Sequence, residues 1–160
     1  ESRGLGDVYK RQTATDPRAE LRWQGHVTAL RELGLTEDLA ILSDNKPFQV
    51  EDGAIGVVQL MERYPDIDAV HCSNDIVAIG ALMECQRRGW AVPHKVAIAG
   101  FGGFDISAQM VPALTTVSLP GYQIGQRAAE MLVARLNGKD ILEPIVDVGF
   151  EMIERESTCR

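Results

Sequence analysis

The side chains in this sequence whose types and spacing can do chemistry suit holding a molecule better than transforming one. Arg18 and Arg22 lie four residues apart, so a helix presents both guanidinium groups on one face, either to an anion or only to solvent. Asn74 carries an amide that donates and accepts at once, which suits a sugar hydroxyl and serves equally well as a helix cap. Its neighbour Asp75 is the more natural cap, since an acid at a helix N-terminus is favoured by the dipole. Phe48 follows Pro47 in a polar loop, where an aromatic ring either stacks on the apolar face of a sugar or plugs the edge of the domain.

Other candidate chemistries fail on spacing. Gly100-Phe101-Gly102-Gly103-Phe104-Asp105 starts like the dinucleotide fingerprint G-x-G-x-x-G, but Asp105 occupies the third glycine position. That acid would face a pyrophosphate, and the residues up to Pro112 lack a helical face, so the stretch reads as a flexible loop in which glycine supplies positive φ. His26, His71 and His94 have no ligand-like spacing, and no serine sits in a G-x-S-x-G elbow. No catalytic set, metal site or cofactor is expected.

The elements that must position these residues alternate. Trp23, Val27 and Leu30 recur at helical spacing between Pro17 and Leu33, and Gly34 supplies a stop. Leu39 to Ser43 is a short apolar run fit for a strand. Asp52-Gly53 opens a second helix with Ala54, Val57, Val58 and Met61 on one face, ending before Pro65. Asp68 to Cys72 reads as a strand, and the third helix after Ser73-Asn74-Asp75 puts Ile76, Ile79 and Met83 on one face and stops at Gly89. Lys95 to Gly100, Leu114 to Leu119 and Ile145 to Phe150 are further strands, with a helix over Gln123 to Leu136. Such alternation predicts an α/β fold with a parallel, doubly wound sheet, whose ligands lie beyond the carboxyl ends of the strands. Three loops stand there: Ser43 to Asp52, Ser73 to Asp75, and Gly100 to Asp105.

The chain has 160 residues, 45% of them hydrophobic and 24% charged, which suits one domain able to bury a core without disulfides or structural metal. A formal charge of −7 has the wrong sign for displacing counterions from nucleic acid, so this segment is not expected to grip DNA itself. Cys72, Cys85 and Cys159 form no C-x-x-C pair, which points to a reducing cytoplasm. No stretch approaches the roughly 20 apolar residues of a membrane span, and no charged-then-apolar stretch of this sequence suggests a secretory signal. Glu1 to Gln12 shows neither helical nor strand periodicity and is similar to translated adaptor read-through, so residues 1–12 are expected to be a non-native leader standing outside the fold.

Several motifs then fall into one series. Asn74 to Gly80 (N-D-x-x-A-x-G), Val92-Pro93, the Ala99-Gly100-Phe101 strand end, Pro112 to Val117 (PALTTV) and the Arg155 to Thr158 tail (REST) together resemble the effector domains of the LacI/GalR family of bacterial transcription repressors. The resemblance covers nearly everything from Thr13 onward. It implies a two-lobed core similar to periplasmic sugar-binding proteins, preceded in the family by a helix-turn-helix headpiece. Residues 13–160 would be a partial effector-binding domain, its C-terminal half. Residues 13–118 would make most of the C-terminal lobe, and 119–160 would supply the tail and the elements that complete the other lobe, leaving the apolar face of the Gln123 to Leu136 helix partly orphaned here.

Carried over residue by residue, the family's R-x-x-G-F/W element matches Arg22 to His26, its stacking aromatic matches Phe48 ahead of Gly53, and its effector-binding asparagine matches Asn74. Many members place an aspartate where this chain has Gly102, and relatives often have a glutamine where it has Leu119. Removing a carboxylate while keeping Arg22 lowers repulsion of an anionic effector, unless Asp105 has taken over the lost acid's role. The Met83 to Arg87 run and the G-F-x-G-x-D loop are most similar to the gluconate-operon repressors of the family, which agrees with a sugar-acid effector. The expectation is therefore a sensor and not an enzyme: a cytoplasmic, dimeric regulator that meets operator DNA only through a headpiece absent from this chain, with no membrane partner and no cofactor. A periplasmic sugar-binding protein of a transporter is the alternative.

Overall fold

The structure is a computed structural model that describes residues 5–9, 17–35, 40–42 and 48–159, with side chains over 20–35 and 48–159. Six strands form one sheet in the order β2-β1-β3-β4-β5-β6: β1 (Leu5–Tyr9), β2 (Ala40–Leu42), β3 (Ala69–Cys72), β4 (Ala97–Gly102), β5 (Thr115–Ser118) and β6 (Glu151–Ile153). All neighbours are parallel except β5 and β6. Four α-helices lie between them, α1 (Pro17–Glu32), α2 (Val50–Arg63), α3 (Asp75–Arg88) and α4 (Gly121–Leu136). A 3-10 turn spans Asp105–Gln109. The α/β sheet expected from the alternation is what the chain forms, parallel throughout except at its β5–β6 edge.

Local sequence explains the helix ends. Pro17 opens α1, where its missing N–H costs nothing. Gly34, at φ 68°, closes it, with the Leu35 amide donating to the Leu30 carbonyl at 2.9 Å. Gly89 ends α3 in the same way, at φ 67°, with the Trp90 amide donating to the Cys85 carbonyl at 2.9 Å. The second helix opens at Val50, earlier than Asp52-Gly53, because the Asp52 carboxylate reaches back to accept the Gln49 amide at 2.8 Å.

Strand alternation sorts the two faces of the sheet. Val70 and Cys72 of β3 and Ile98 of β4 point into the core, where they meet Val57 and Leu60 of α2 and Val77, Ala81, Leu82 and Cys85 of α3. His71 and Phe101 point to the opposite face, under α1, where His71 stacks on His26 and Phe101 lies beneath Arg22. The buried stripe of α3 runs through Val77, Ala78, Ala81, Leu82 and Cys85. Met83, expected on that face, is 52% exposed.

Helices α2 and α3 touch at reciprocal glycines. A Cβ on Gly53 would lie 1.8 Å from the Val77 carbonyl oxygen, and one on Gly80 would lie 1.7 Å from that of Val50. Only hydrogen fits at either place, so this pair sets the separation of the two helices.

Two expectations are corrected. Residues 1–12 do not stand wholly outside the fold, because Leu5–Tyr9 pairs on both sides as β1. Parallel pairing uses backbone donors and acceptors, so the poor side-chain periodicity of this peptide is no bar. The last strand is Glu151–Ile153 and not Ile145 to Phe150. Gly149, at φ 73°, interrupts extended backbone just before it, and Ile145 and Phe150 are exposed. The strand read over Leu39 to Ser43 is seen at Ala40–Leu42, its two end residues lying outside those described.

The tail is stitched into the sheet. The buried Ser157 hydroxyl donates to the Ile98 carbonyl at 2.6 Å and accepts the Thr115 amide at 2.8 Å, bridging β4 and β5. Arg155 donates through Nη1 to the Leu114 carbonyl at 2.6 Å, and Glu156 accepts the Ala113 amide at 2.9 Å. Helix α4, by contrast, has no buried residue, and Tyr122, Ile124, Leu132, Val133 and Leu136 are all exposed.

Candidate functional site

The site forms at the carboxyl ends of β3 and β4. The register pairs His71 with Ala99, which continues to bring Ser73, just past β3, level with Phe101. Above them Arg22 reaches down from α1, its guanidinium carbon 4.8 Å from the centre of the Phe101 ring. Its Nε is buried and meets no hydrogen-bond partner among the described residues, and the same is true of the Ser73 hydroxyl, on a residue 1% exposed. A buried polar group near the strand ends is costly unless a ligand or water completes it.

Asn74 stands beside Ser73. Its Oδ1 accepts the Val77 amide at 3.0 Å, which makes it the cap of α3, while its Nδ2 donates to no described residue. The two readings of Asn74 are therefore compatible: one amide atom caps and the other is available to a guest. Asp75 is not the cap. It is fully buried and its carboxylate turns away from the helix to serve the Gly102–Ser107 strap.

Phe48 is half-buried and packs against the core cluster just ahead of α2, so it does plug the edge of the domain. Gly102 ends β4 at φ 133°, and a Cβ there would come within 3.2 Å of the Phe104 ring. The absent aspartate is thus matched by a backbone that favours glycine. Asp105 is exposed at the start of the 3-10 turn, whereas the acid around which this loop is built is Asp75. The side chain of Arg18 lies outside the described residues. The glycine-rich loop runs into a short 3-10 turn and not an α-helix, which removes the N-terminus a dinucleotide fingerprint needs.

Sequence reasoning passed over Ser73 and Phe101 as site residues. Phe101 was legible from strand parity, since it alternates with Ile98 and Gly100 on the core side. Ser73 carried no signal beyond its place in a polar triplet. Away from the crevice, Glu84 accepts both Arg87 Nε and Nη2 at 2.7 Å and Arg88 Nε at 2.5 Å, and the hydrogen bonds from Arg87 and then Arg88 hold its carboxyl down at about 2. Among the described residues no group of three His, Cys, Asp or Glu could hold a metal ion.

A mostly parallel sheet with helices between its strands, carrying Arg22 and Ser73 near its carboxyl edge, is an α/β domain of the class whose ligands lie at the strand ends. The chain belongs to the periplasmic binding protein-like domain family, whose model matches residues 4–158. Within that family its relatives are LacI-type transcription regulators. It is 38% identical over 143 residues to the HTH-type transcriptional regulator GntR of Pseudomonas aeruginosa, covering 89% of this chain and 42% of that protein. It is 34% identical over 145 residues to the HTH-type transcriptional regulator IdnR of Escherichia coli, covering 86% and 41%. The crystal structure of transcription regulator GntR from Chromobacterium violaceum superposes with a TM-score of 0.91 at 34% identity, covering 98% of this chain and 57% of that one. The chain therefore spans less than half the length of these curated relatives. They are regulators and not transporter components, which disfavours the transport alternative. No helix among the described residues is long and apolar enough to cross a membrane.

Proposed function

We propose that this chain is the ligand-sensing portion of a LacI-type, DNA-binding transcription regulator whose effector is a sugar acid of the gluconate type. The observation that carries the reading is the pairing of a cation with a missing anion. Arg22 offers a buried guanidinium Nε with no partner among the described residues, while β4 ends at Gly102, where the resemblance to the LacI/GalR family implies an aspartate in many members. A carboxylate on the effector satisfies the arginine and meets no like charge at position 102. Ser73 and the Nδ2 of Asn74 supply an acceptor-donor pair and a donor for hydroxyl groups. Phe48 closes the edge, and Arg18, on the same helix as Arg22, adds positive potential.

No bond is made or broken. The effector prefers one orientation of two lobes, and the difference in affinity shifts a headpiece between DNA-competent and released states. The bare apolar face of α4 supports the view that residues 119–160 complete a second lobe supplied by chain outside this segment. In this reading the whole protein is a cytoplasmic homodimer that meets operator DNA through its headpiece.

Calorimetric titration of the full-length protein with D-gluconate, D-glucose and D-galactose tests the effector class. Gluconate is expected to bind tightest, and Arg22→Met to weaken it by about tenfold to a hundredfold, the scale of one charge-assisted hydrogen bond. Tighter binding of either neutral sugar would reject the charge argument.

A further inference from the structure

Asp75 is a fully buried acid with no cation beside it among the described residues. Its position at the first turn of α3 suggests a cap, but Asn74 already caps the helix by accepting the Val77 amide. A buried carboxylate is costly unless several donors satisfy it, and here all the donors come from elsewhere in the chain. Oδ1 accepts the Thr116 hydroxyl at 2.6 Å. Oδ2 accepts the Phe104 amide at 2.8 Å and the Ser107 hydroxyl at 2.7 Å. Thr116 in turn accepts the Gly103 amide at 3.2 Å, so one acid reaches two consecutive amides of the strap.

The surroundings are shaped to this arrangement. A Cβ on Gly100 would lie 2.3 Å from Asp75 Oδ1, so only glycine at 100 lets the carboxylate lie against β4. Gly102 and Gly103 both have positive φ, 133° and 70°, which turns the chain sharply enough to bring the Phe104 amide back to Asp75. Further along, the Leu114 amide donates to the Ser107 carbonyl at 2.8 Å and Gln86 Nε2 donates to the Val111 carbonyl, fixing the far end of the strap.

We propose that Asp75 is a positioning residue of the effector site: its buried carboxylate latches the Gly102–Ser107 strap to the head of α3, fixing the wall at Gly102 and Phe104 relative to Asn74. This rests on the effector reading of the same crevice. The latch adds no group to the ligand. It holds two walls, which leave from different strands, at one spacing, and binding then need not order the strap at its own expense.

The test compares Asp75→Asn and Ser107→Ala with the unsubstituted full-length protein by two readouts, D-gluconate affinity and amide hydrogen exchange. Asparagine keeps the volume of Asp75 but removes its charge and one of its two acceptor oxygens, which weakens the hold on Phe104, Ser107 and Thr116 in either amide orientation. Exchange at Gly103 and Phe104 is expected to rise about tenfold or more, with Leu60, Ala81 and Leu82 in the core unchanged, while gluconate binds about tenfold to a hundredfold more weakly. Ser107→Ala leaves the carboxylate two donors and moves both readouts the same way by less, and it carries the test if Asp75→Asn does not fold. Faster exchange at Phe104 with unaltered gluconate affinity would overturn the positioning role, as would an equal rise throughout α2 and α3. Failure of the unsubstituted protein to bind gluconate refutes the effector assignment instead. Exchange still decides then, since an unchanged Phe104 amide in Asp75→Asn overturns the latch whatever the ligand.

Discussion

Gly80→Ala tests the contact that sets how far apart the helices behind Phe48 and Asn74 stand. In an exposed helix this substitution stabilises by about 1 kcal/mol, because alanine has the better helix propensity. Here the added Cβ would sit 1.7 Å from the Val50 carbonyl oxygen and 2.7 Å from its carbon. Ordinary contact requires about 3.5 Å, so α2 must withdraw by about 1.5 to 2 Å at that point. The atoms met are backbone, which cannot rotate away as a side-chain tip would. Withdrawal opens gaps beside Val57, Leu60, Val77 and Ala81, all at 0% exposure. Overpacking of a well-filled core costs about 1 to 3 kcal/mol, and a backbone collision belongs at or above the upper end. Subtracting the propensity gain leaves a net loss of about 2 kcal/mol, or about 4 to 8 °C in Tm for a domain of this size. Far-UV circular dichroism during thermal unfolding of the chain measures it. Gly125→Ala is the control: a Cβ there meets nothing within 4 Å on α4, so its Tm should rise by about 2 to 4 °C. The same chemical change then moves Tm in opposite directions at two helical sites. A Gly80→Ala variant as stable as the parent, or two variants shifting the same way, would refute the close-approach reasoning.

Two further outcomes follow from titratable groups. Glu84, held at about 2 by Arg87 and Arg88 against an ordinary 4.5, adds stability that is complete above about pH 4.5 and is lost as pH falls toward 2. The urea midpoint of the parent should therefore exceed that of Glu84→Gln at pH 7 and converge on it near pH 2, and a gap that ignores pH would contradict the pairing. Cys72 and Cys85 are buried, and burial, then the nearby Glu84 charge, pushes the Cys85 thiol up to about 12; Cys159 is exposed, its thiol raised by desolvation and then by Glu154. A disulfide reagent at pH 8 should label Cys159 alone and slowly in the folded chain and all three thiols in denaturant, and prompt labelling of Cys85 in the fold would contradict its burial.

Most of the fold was legible because its signals are local. The helix stops at Gly34 and Gly89 need only a glycine after a periodic run, and both take the left-handed conformation that glycine allows. What was misread depended on partners distant in sequence. Asp75 looked like a cap because its acid stands at a helix N-terminus, yet its hydrogen-bond partners are 29, 32 and 41 residues away. Met83 shares helical spacing with Ile79, but α2 covers the stripe through Val77, Ala81 and Cys85, leaving Met83 in solvent. Leu5–Tyr9 lacks alternation, and a strand between two others is held by its backbone whatever its side chains say.

The site was legible only as a set of types. Arg22, Phe48 and Asn74 could each be weighed as binder or as scaffold, and for Asn74 the choice proves unnecessary, since its Oδ1 caps α3 while its Nδ2 faces no described partner. Whether a residue type becomes a site depends on what holds it there. Three contacts do this work: the glycine pair that fixes α2 on α3, the Asp75 latch on the strap, and Ser157, which pins β4 to β5 beneath it. Each joins elements that carry different walls of the crevice. Loss of any one should therefore weaken ligand binding even though none of Gly80, Asp75 or Ser157 is assigned a ligand contact. Such losses would differ from that of Arg22→Met, because rearranged walls impair gluconate and neutral sugars alike, whereas removing the cation selectively penalises the acid. A variant's selectivity, and not its affinity alone, then separates a residue that holds the effector from one that holds the holder.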